Sequence, residues 1–388
     1  MLPSLCLQNL QLRDFRSYAL LRLGVVPGLN VFCGPNGAGK TNLLEAAAYL
    51  ALGRSPRTTR DADLIRTGRE GFEIRADYWI SAAAQPGGPT SSVAVRYRPQ
   101  LGRAAEIDGL PAPALSALYG RLTAVFFSPD DLWLLKAGPA TRRALLDRLL
   151  VQASPLYADA SQRYRQAVAQ RNATLQDVRA RRAGRALLAI WEPQLVQYGG
   201  EIMRRRAEAV LRLAPLAADA YTELAGPGEV LDWRYVPGLG PQGARGTQPA
   251  DLASWPDRLQ AALASQQDAD LAAGATTVGP HRDDLEATIA GRLAQRFASQ
   301  GQQRSAVLAM KFAERALLAE QTGHRPLLLV DDVLSELDER RRGALYQLLA
   351  REGQVFLTTA DEQQALALPA AARFAVGAEG VRRAASSV

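Results

Sequence analysis

Two periodicities divide the chain. Through residues 1–125, apolar and polar positions alternate in short runs at 5–12, 19–26, 72–80 and 92–98, the period of half-buried strands. One run, Leu29-Asn30-Val31-Phe32-Cys33, reads instead as a buried strand, and residues 42–50 after it read as a helix. Residues 85–89 predict a turn, and Ile107-Asp108-Gly109-Leu110 predicts a hairpin beside a short strand. From 139 to 225 the spacing becomes helical, and Pro155, Pro193 and Pro215 predict breaks between several helices. No heptad pattern persists long enough for an extended coiled coil. Residues 226–248 are rich in Gly and Pro around a strand-like Val230-Leu231-Asp232-Trp233-Arg234-Tyr235, and 257–271 fit another helix. Residues 302–322 then predict one helix closed by Gly323. Pro326-Leu327-Leu328-Leu329-Val330 predicts a strand covered on both faces.

Composition narrows the class. With 388 residues, 47% of them hydrophobic and 22% charged, the chain can bury a sizeable core in two or three domains. No apolar run approaches the roughly 18 residues of a membrane span, and residues 1–6 lack the features of a signal peptide. A cytoplasmic protein without a membrane partner is therefore expected. Cys6 and Cys33 read as buried thiols, and two histidines, His281 and His324, offer no zinc cluster. The net charge is +7, and its distribution carries more information than its size. Residues 141–212 hold fourteen arginines against six acidic residues, an excess of eight within one helical stretch. Such an excess permits a polyanionic partner for part of this set and leaves the rest to solvate helices.

The chemistry lies in two motifs. Gly34-Pro35-Asn36-Gly37-Ala38-Gly39-Lys40-Thr41 fits the phosphate-binding P-loop at every fixed position, between a strand and a helix as that loop requires. Its glycines let backbone N–H groups surround phosphates, and the helix that follows directs its positive end at the same anion. Lys40 is expected on the β- and γ-phosphates of ATP, and the Thr41 hydroxyl on Mg²⁺. The apolar strand at 326–330 ends in Asp331-Asp332, the Walker B arrangement, with Asp331 expected on Mg²⁺ and Asp332 as general base.

Around these motifs the chain resembles a known class. Ser299-Gln300-Gly301-Gln302, a helix, Asp331-Asp332 and then Ser335-Glu336-Leu337-Asp338 follow the signature, Walker B and D-loop order of ABC-type ATPases. The resemblance implies that Ser299, Gly301 and Gln302 meet the γ-phosphate held by a second chain, so that two chains sandwich two ATP molecules. It narrows to the RecF family of bacterial recombination mediators through Leu12-Arg13-Asp14-Phe15-Arg16-Ser17-Tyr18, Gly53-Arg54-Ser55-Pro56-Arg57, Phe127-Ser128-Pro129-Asp130-Asp131-Leu132 and Gly279-Pro280-His281-Arg282-Asp283-Asp284-Leu285.

The fold it implies is α/β, an ABC-type P-loop ATPase head like those of Rad50 and SMC proteins, with an inserted compact helical lobe and no long coiled coil. The expected division is an ATPase lobe at 1–125, a mainly helical lobe at 126–274, and a C-terminal ATPase part at 275–388 packed with the first. The expected nucleotide set is Gly34, Asn36, Gly37, Gly39, Lys40, Thr41 and Asn42 with Arg13 and Arg57, joined in trans by Ser299, Gly301 and Gln302. Lys40, Asp332 and Ser299 are the expected catalytic residues. The implied function is slow, DNA-dependent ATP hydrolysis by an ATP-held dimer on double-stranded and gapped DNA, working with RecR and RecO to load RecA in the nucleoid. Two alternatives are a transporter-type ATPase subunit and a scaffold in which ATP is only a structural ligand. Three departures from pattern stand out: Pro56 where the family often has His, no clear Q-loop glutamine, for which 126–131 is the counterpart, and Thr358-Thr359 where transporters carry a switch histidine. His281 reads as structural, with a place near the ATP or dimer contact as the alternative.

Overall fold

The alternating runs at the start of the chain become a strand-rich layer around one buried helix. The computed structural model describes residues 2–81, 89–240 and 254–384, so the turn expected at 85–89 lies, except for Pro89, outside the described residues, as does 241–248. In chain order come β1 (Ser4–Phe15), β2 (Tyr18–Gly24), β3 (Leu29–Cys33), α1 (Lys40–Leu52), β4 (Phe72–Ser81), β5 (Ser91–Arg98), β6 (Gly102–Ile107), β7 (Leu110–Pro111) and β8 (Ala124–Phe127). There follow α2 (Pro139–Ala153), α3 (Pro155–Arg179), α4 (Glu192–Ala225), β9 (Leu231–Val236), α5 (Trp255–Ser265), α6 (Gln267–Ala273), β10 (Asp284–Ile289), β11 (Arg292–Leu293) and α7 (Ala294–Phe297). The chain closes through α8 (Gln300–Thr322), β12 (Leu327–Asp331), α9 (Glu339–Ala350), β13 (Val355–Thr359), α10 (Glu362–Ala367), β14 (Ala372–Gly377) and β15 (Gly380–Arg383).

Chain contacts divide these elements into two units. The first comprises Met1–Leu132, Glu223–Ala225 and Lys311–Val388, and the second Trp133–Thr222 and Gly226–Met310. The stretch 275–310, expected with the ATPase part, thus groups with the helical unit, because β10 pairs with β9 from Asp284↔Val236 to Ile289↔Leu231. That unit is not purely helical, since β11-β10-β9 form a small sheet within it.

In the first unit, an antiparallel sheet has the order β2-β1-β4-β5-β6-β7, and a second sheet has the order β15-β14-β3-β13-β12-β8, parallel except where β15 joins β14. Asp108 and Gly109 join β6 to β7 with φ of 51° and 80°, the left-handed pair that a tight hairpin needs. Leu43, Leu44, Leu50 and Tyr49 of α1 share a core with Leu10 and Leu12 of β1 and Phe32 of β3. Only Thr41 and Asn42 of α1 escape full burial, so a helix apolar on nearly every side offers its polar N-terminus alone. All of β12 and β13 is buried, which explains their unbroken apolar runs.

One expected break is absent. Pro139, Pro155 and Pro193 open helices, but Pro215 lies inside α4. It removes one helical hydrogen bond, at a cost of about 3 kcal/mol. Leu213, Ala217 and Tyr221 on either side are fully buried, and their packing carries the helix through.

Candidate nucleotide-binding site

The C-terminal ends of three neighbouring parallel strands build the site. β3 runs beside β13 and β13 beside β12, with Cα pairs Thr359↔Cys33 and Asp331↔Thr358. Ligands bind to α/β sheets at this edge. Gly34 follows β3 where a Cβ would run into the Val376 carbonyl of β14, so only glycine fits. Gly37 and Gly39 have φ of 81° and 103°, which curls the loop so that its N–H groups can face inward. Lys40 is buried and its Nζ donates to the carbonyls of Gly34 (2.7 Å) and Pro35 (3.0 Å), the loop's own acceptors.

The Walker B carboxylates meet this loop. Thr41 Oγ1 donates to Asp331 Oδ1 at 3.0 Å, and Thr358 Oγ1 donates to the same oxygen at 2.7 Å. Burial raises the Asp331 carboxyl above its usual range, and the two hydroxyls oppose that rise. Asp332 takes the left-handed conformation, φ 46°, rare for a side-chain-bearing residue and common at functional sites. Its N–H donates to Thr358 Oγ1 at 2.9 Å, so one hydroxyl secures both aspartates. Burial raises the Asp332 carboxyl too, with Lys40 opposing and Asp331 reinforcing. Thr358 was legible in the sequence only as the residue of the neighbouring strand where transporters differ. Its contact with Asp331 follows from the register.

A second layer surrounds α1. Glu45, fully buried, accepts from Arg16 Nη2 (2.9 Å) and Nε (3.0 Å), Arg57 Nη1 (3.1 Å) and Ser55 Oγ (2.5 Å). Arg57 also reaches Asn42 Oδ1 at 3.2 Å, and Asn42 Nδ2 donates to Ser17 Oγ at 3.1 Å. The loops at 16–18 and 55–57 are thereby tied to the first turn of α1. Arg13 is not part of this layer. It is exposed on β1 opposite Glu73 and lines a separate cavity of about 890 Å³ with Arg69, Arg96 and Arg98. Of the two arginines in the opening motif it is Arg16 that touches α1, three residues further on and across a turn in which Asp14 and Arg16 both have positive φ.

Ser299, Gly301 and Gln302 belong to the second unit, at the start of α8. The N–H of Ser299 donates to Gln302 Oε1 (2.7 Å) and the N–H of Gln302 donates to Ser299 Oγ (3.2 Å), a capping box whose S-x-x-Q spacing was visible in the sequence. Gln302 Nε2 also donates to Glu229 Oε1 at 2.6 Å. In the first unit, Ser335 Oγ donates to the Asp332 carbonyl at 2.9 Å, and Asp338 caps α9. Asp131, in the segment expected to replace the Q-loop, caps the Ser128 N–H at 2.9 Å and pairs with buried Lys311 at 3.5 Å.

The structure sorts the arginine-rich stretch. Arg142 pairs with Asp284, Arg171 with Asp270, and Arg206 with Asp147 and Asp283, all from buried positions. The Gly279-to-Leu285 motif is the anchor of this polar core. His281 Nε2 lies 2.9 Å from the Thr276 carbonyl, so it carries the proton, and Nδ1 accepts from Tyr164 Oη at 2.8 Å. The neutral ring is fully satisfied, and burial lowers its pKa to about 4. Below pH 6.5 the unfolded chain takes up a proton that the folded one refuses, so this residue's stabilisation is complete above that pH and is lost as pH falls toward 4. Thermal melts between pH 7 and pH 4 are expected to show a loss that the His281→Gln variant shows much less; parallel curves would contradict it.

Among the described residues, no helix is long and apolar enough to cross a membrane. The model of the RecF/RecN/SMC N terminal domain family matches residues 6–376. The "DNA replication and repair protein RecF" of Symbiobacterium thermophilum is 43% identical over 92% of this chain and 91% of its own, and that of Moorella thermoacetica is 41% identical over 93% and 91%. A solved structure of the recombination mediator protein RecF with ATP, in the RecFOR pathway, superposes with a TM-score of 0.88 at 27% identity over 99% of both chains. The Smc head domain of Pyrococcus furiosus shares the fold, with a TM-score of 0.54 at 15% identity over 98% of this chain and 96% of that one.

Proposed function

The chain belongs to the RecF family, within the RecF/RecN/SMC N-terminal domain class, and we propose that it is an ATP-driven DNA clamp of recombinational repair. The observation that carries this proposal is the meeting of Thr41 and Asp331, 3.0 Å apart from positions 290 residues distant in sequence. A P-loop alone is a phosphate cradle; a P-loop with a carboxylate pair at its mouth, Asp331 buried and Asp332 half-buried, is suited to hydrolysis. Gly37 and Gly39 leave room for phosphates against backbone N–H groups, and Thr41 Oγ1 with the Asp331 carboxylate is a hard-oxygen pair that suits Mg²⁺. The ion, when bound, supplies neutralising charge to the phosphate oxygens. Lys40 exchanges its loop carbonyls for phosphate, and Asp332 takes the proton of the attacking water. Arg57, beside Asn42, adds positive charge at the same end of α1.

Ser299, Gly301 and Gln302 complete the site from a second chain. Two ATP molecules then hold two chains together on duplex DNA or at a gap edge, and slow hydrolysis releases them. RecR and RecO are the proposed protein partners, in keeping with the RecFOR pathway named for the related RecF structure, and RecA loading is the outcome that the family resemblance implies. The test is ATP hydrolysis per chain as protein concentration rises, with and without duplex DNA. A rate that climbs with concentration and with DNA is expected. A flat per-chain rate across the monomer-to-dimer range would remove completion in trans.

A further inference from the structure

Four of the arginines that the polar core does not consume lie together at one turn. Between Val178 and Trp191 the chain carries Arg179, Arg181, Arg182 and Arg185 and no acidic residue. This is the turn between α3 and α4, and all four side chains are exposed. Among the described residues, Arg179 and Arg181 have no ion-pair partner. Arg182 pairs with Asp177 at 2.7 Å and Arg185 with Asp268 at 3.2 Å, and all four of those partners are open to water, so the pairs are weak and exchangeable.

The turn itself is firmly built. Leu188 is fully buried against Leu175 and Leu271, Trp191 Nε1 donates to Thr174 Oγ1 at 3.1 Å, and the Arg182 N–H donates to the Asp177 carbonyl at 2.8 Å. Arg181 holds φ 58° at the bend. A fixed platform therefore displays four guanidiniums, and beside them Leu187 (46% exposed) and Ile190 (60% exposed) offer apolar surface. Arginine's planar fork suits phosphate oxygens, and small apolar side chains can cover sugar and base edges.

We propose that the α3–α4 turn is a contact for the DNA sugar–phosphate backbone, with Arg179, Arg181 and Arg185 as its phosphate ligands. This rests on the DNA-binding function proposed above and assigns it to a place. The test uses the full chain with ATP and Mg²⁺ and reads duplex binding by fluorescence anisotropy across a salt series. The triple variant Arg179→Gln, Arg181→Gln, Arg185→Gln is expected to flatten the slope of log affinity against log salt by about 0.9 for each lost phosphate contact. ATP affinity is expected to stay unchanged. Arg163→Gln with Arg165→Gln, on the same helix, is expected to leave the slope as it is, and Arg→Lys at the three turn positions to restore most of it. A wild-type slope in the triple variant overturns the assignment and leaves the turn as a protein-docking or solvated surface. Equal loss in the Lys variant also overturns it, because charge was retained. Failure of the wild-type chain to bind duplex at any salt instead removes the DNA-binding function itself.

Discussion

Replacing Asp332 with Asn is expected to lower ATP turnover by about 10²–10⁴-fold, the usual contribution of a general base, while ATP affinity stays within a few-fold. Asparagine keeps the shape of the side chain and tolerates the left-handed backbone, φ 46°, that Asp332 adopts. The N–H bond to Thr358 Oγ1 is main-chain and survives. What is lost is the proposed proton acceptor, a carboxylate whose pKa burial raises above its ordinary value. Single-turnover hydrolysis alongside nucleotide binding checks this. Turnover within about tenfold of wild type would assign the base elsewhere, because a lost general base costs at least about 10². The same variant distinguishes the clamp from the scaffold alternative. A clamp that binds ATP without hydrolysing it stays closed on DNA, whereas a scaffold releases DNA as before.

The largest expected effect on stability falls in the second unit. Asp283, buried in the second unit, accepts from Arg206 Nη1 (2.8 Å), Tyr235 Oη (2.5 Å) and the Gly238 N–H (2.8 Å). Asp283→Ala leaves two buried donors and the half-buried Gly238 N–H short of an acceptor, one of them a guanidinium whose remaining carboxylate is Asp147. Breaking a buried pair in this way costs about 3–5 kcal/mol. Denaturant unfolding is expected to show it, with the loss partly recovered when Arg206→Met is added, since the second change removes the orphaned charge. A loss below about 1 kcal/mol would mean that water reaches the network and that the site is not buried in solution. The motif at Gly279–Leu285 then carries family likeness for a structural reason: its carboxylates and His281 fasten α3, α4, β9 and β10 into one unit.

Some of this was legible because the signal was local. The P-loop needs its glycines at fixed offsets, and a strand buried on both faces has no polar position until its end, so Gly34 to Thr41 and Leu327 to Asp332 stood out. The strand periods at 72–80 and 92–98 matched β4 and β5 within a residue or two. The S-x-x-Q capping box is equally local, and the same residues also fit the ABC-type signature. Other features were hidden because their cause is distant. Glu45 is a single charged position in the run 43–52, and nothing beside it in sequence shows that Arg16 and Arg57 close on it. Pro215 read as a break because its cost is local, while the burial of Leu213, Ala217 and Tyr221 that offsets it is tertiary.

The arginine-rich stretch shows the same division most plainly. Its net charge is a property of composition, and composition alone permits a polyanionic partner. Which arginines are available was decided by partners 142, 99 and 77 residues away, Asp284, Asp270 and Asp283, each reached only when the chain folds back on itself. The sequence alone determined the chemistry on offer, a phosphate loop and a carboxylate pair at a strand end, because each motif encodes its own backbone geometry. Only the tertiary structure decided that the two meet, that Thr358 holds both aspartates, that Arg16 rather than Arg13 supports α1, and where unspent positive charge remains. Those outcomes depend on strand register and burial, which couple residues without regard to their separation along the chain.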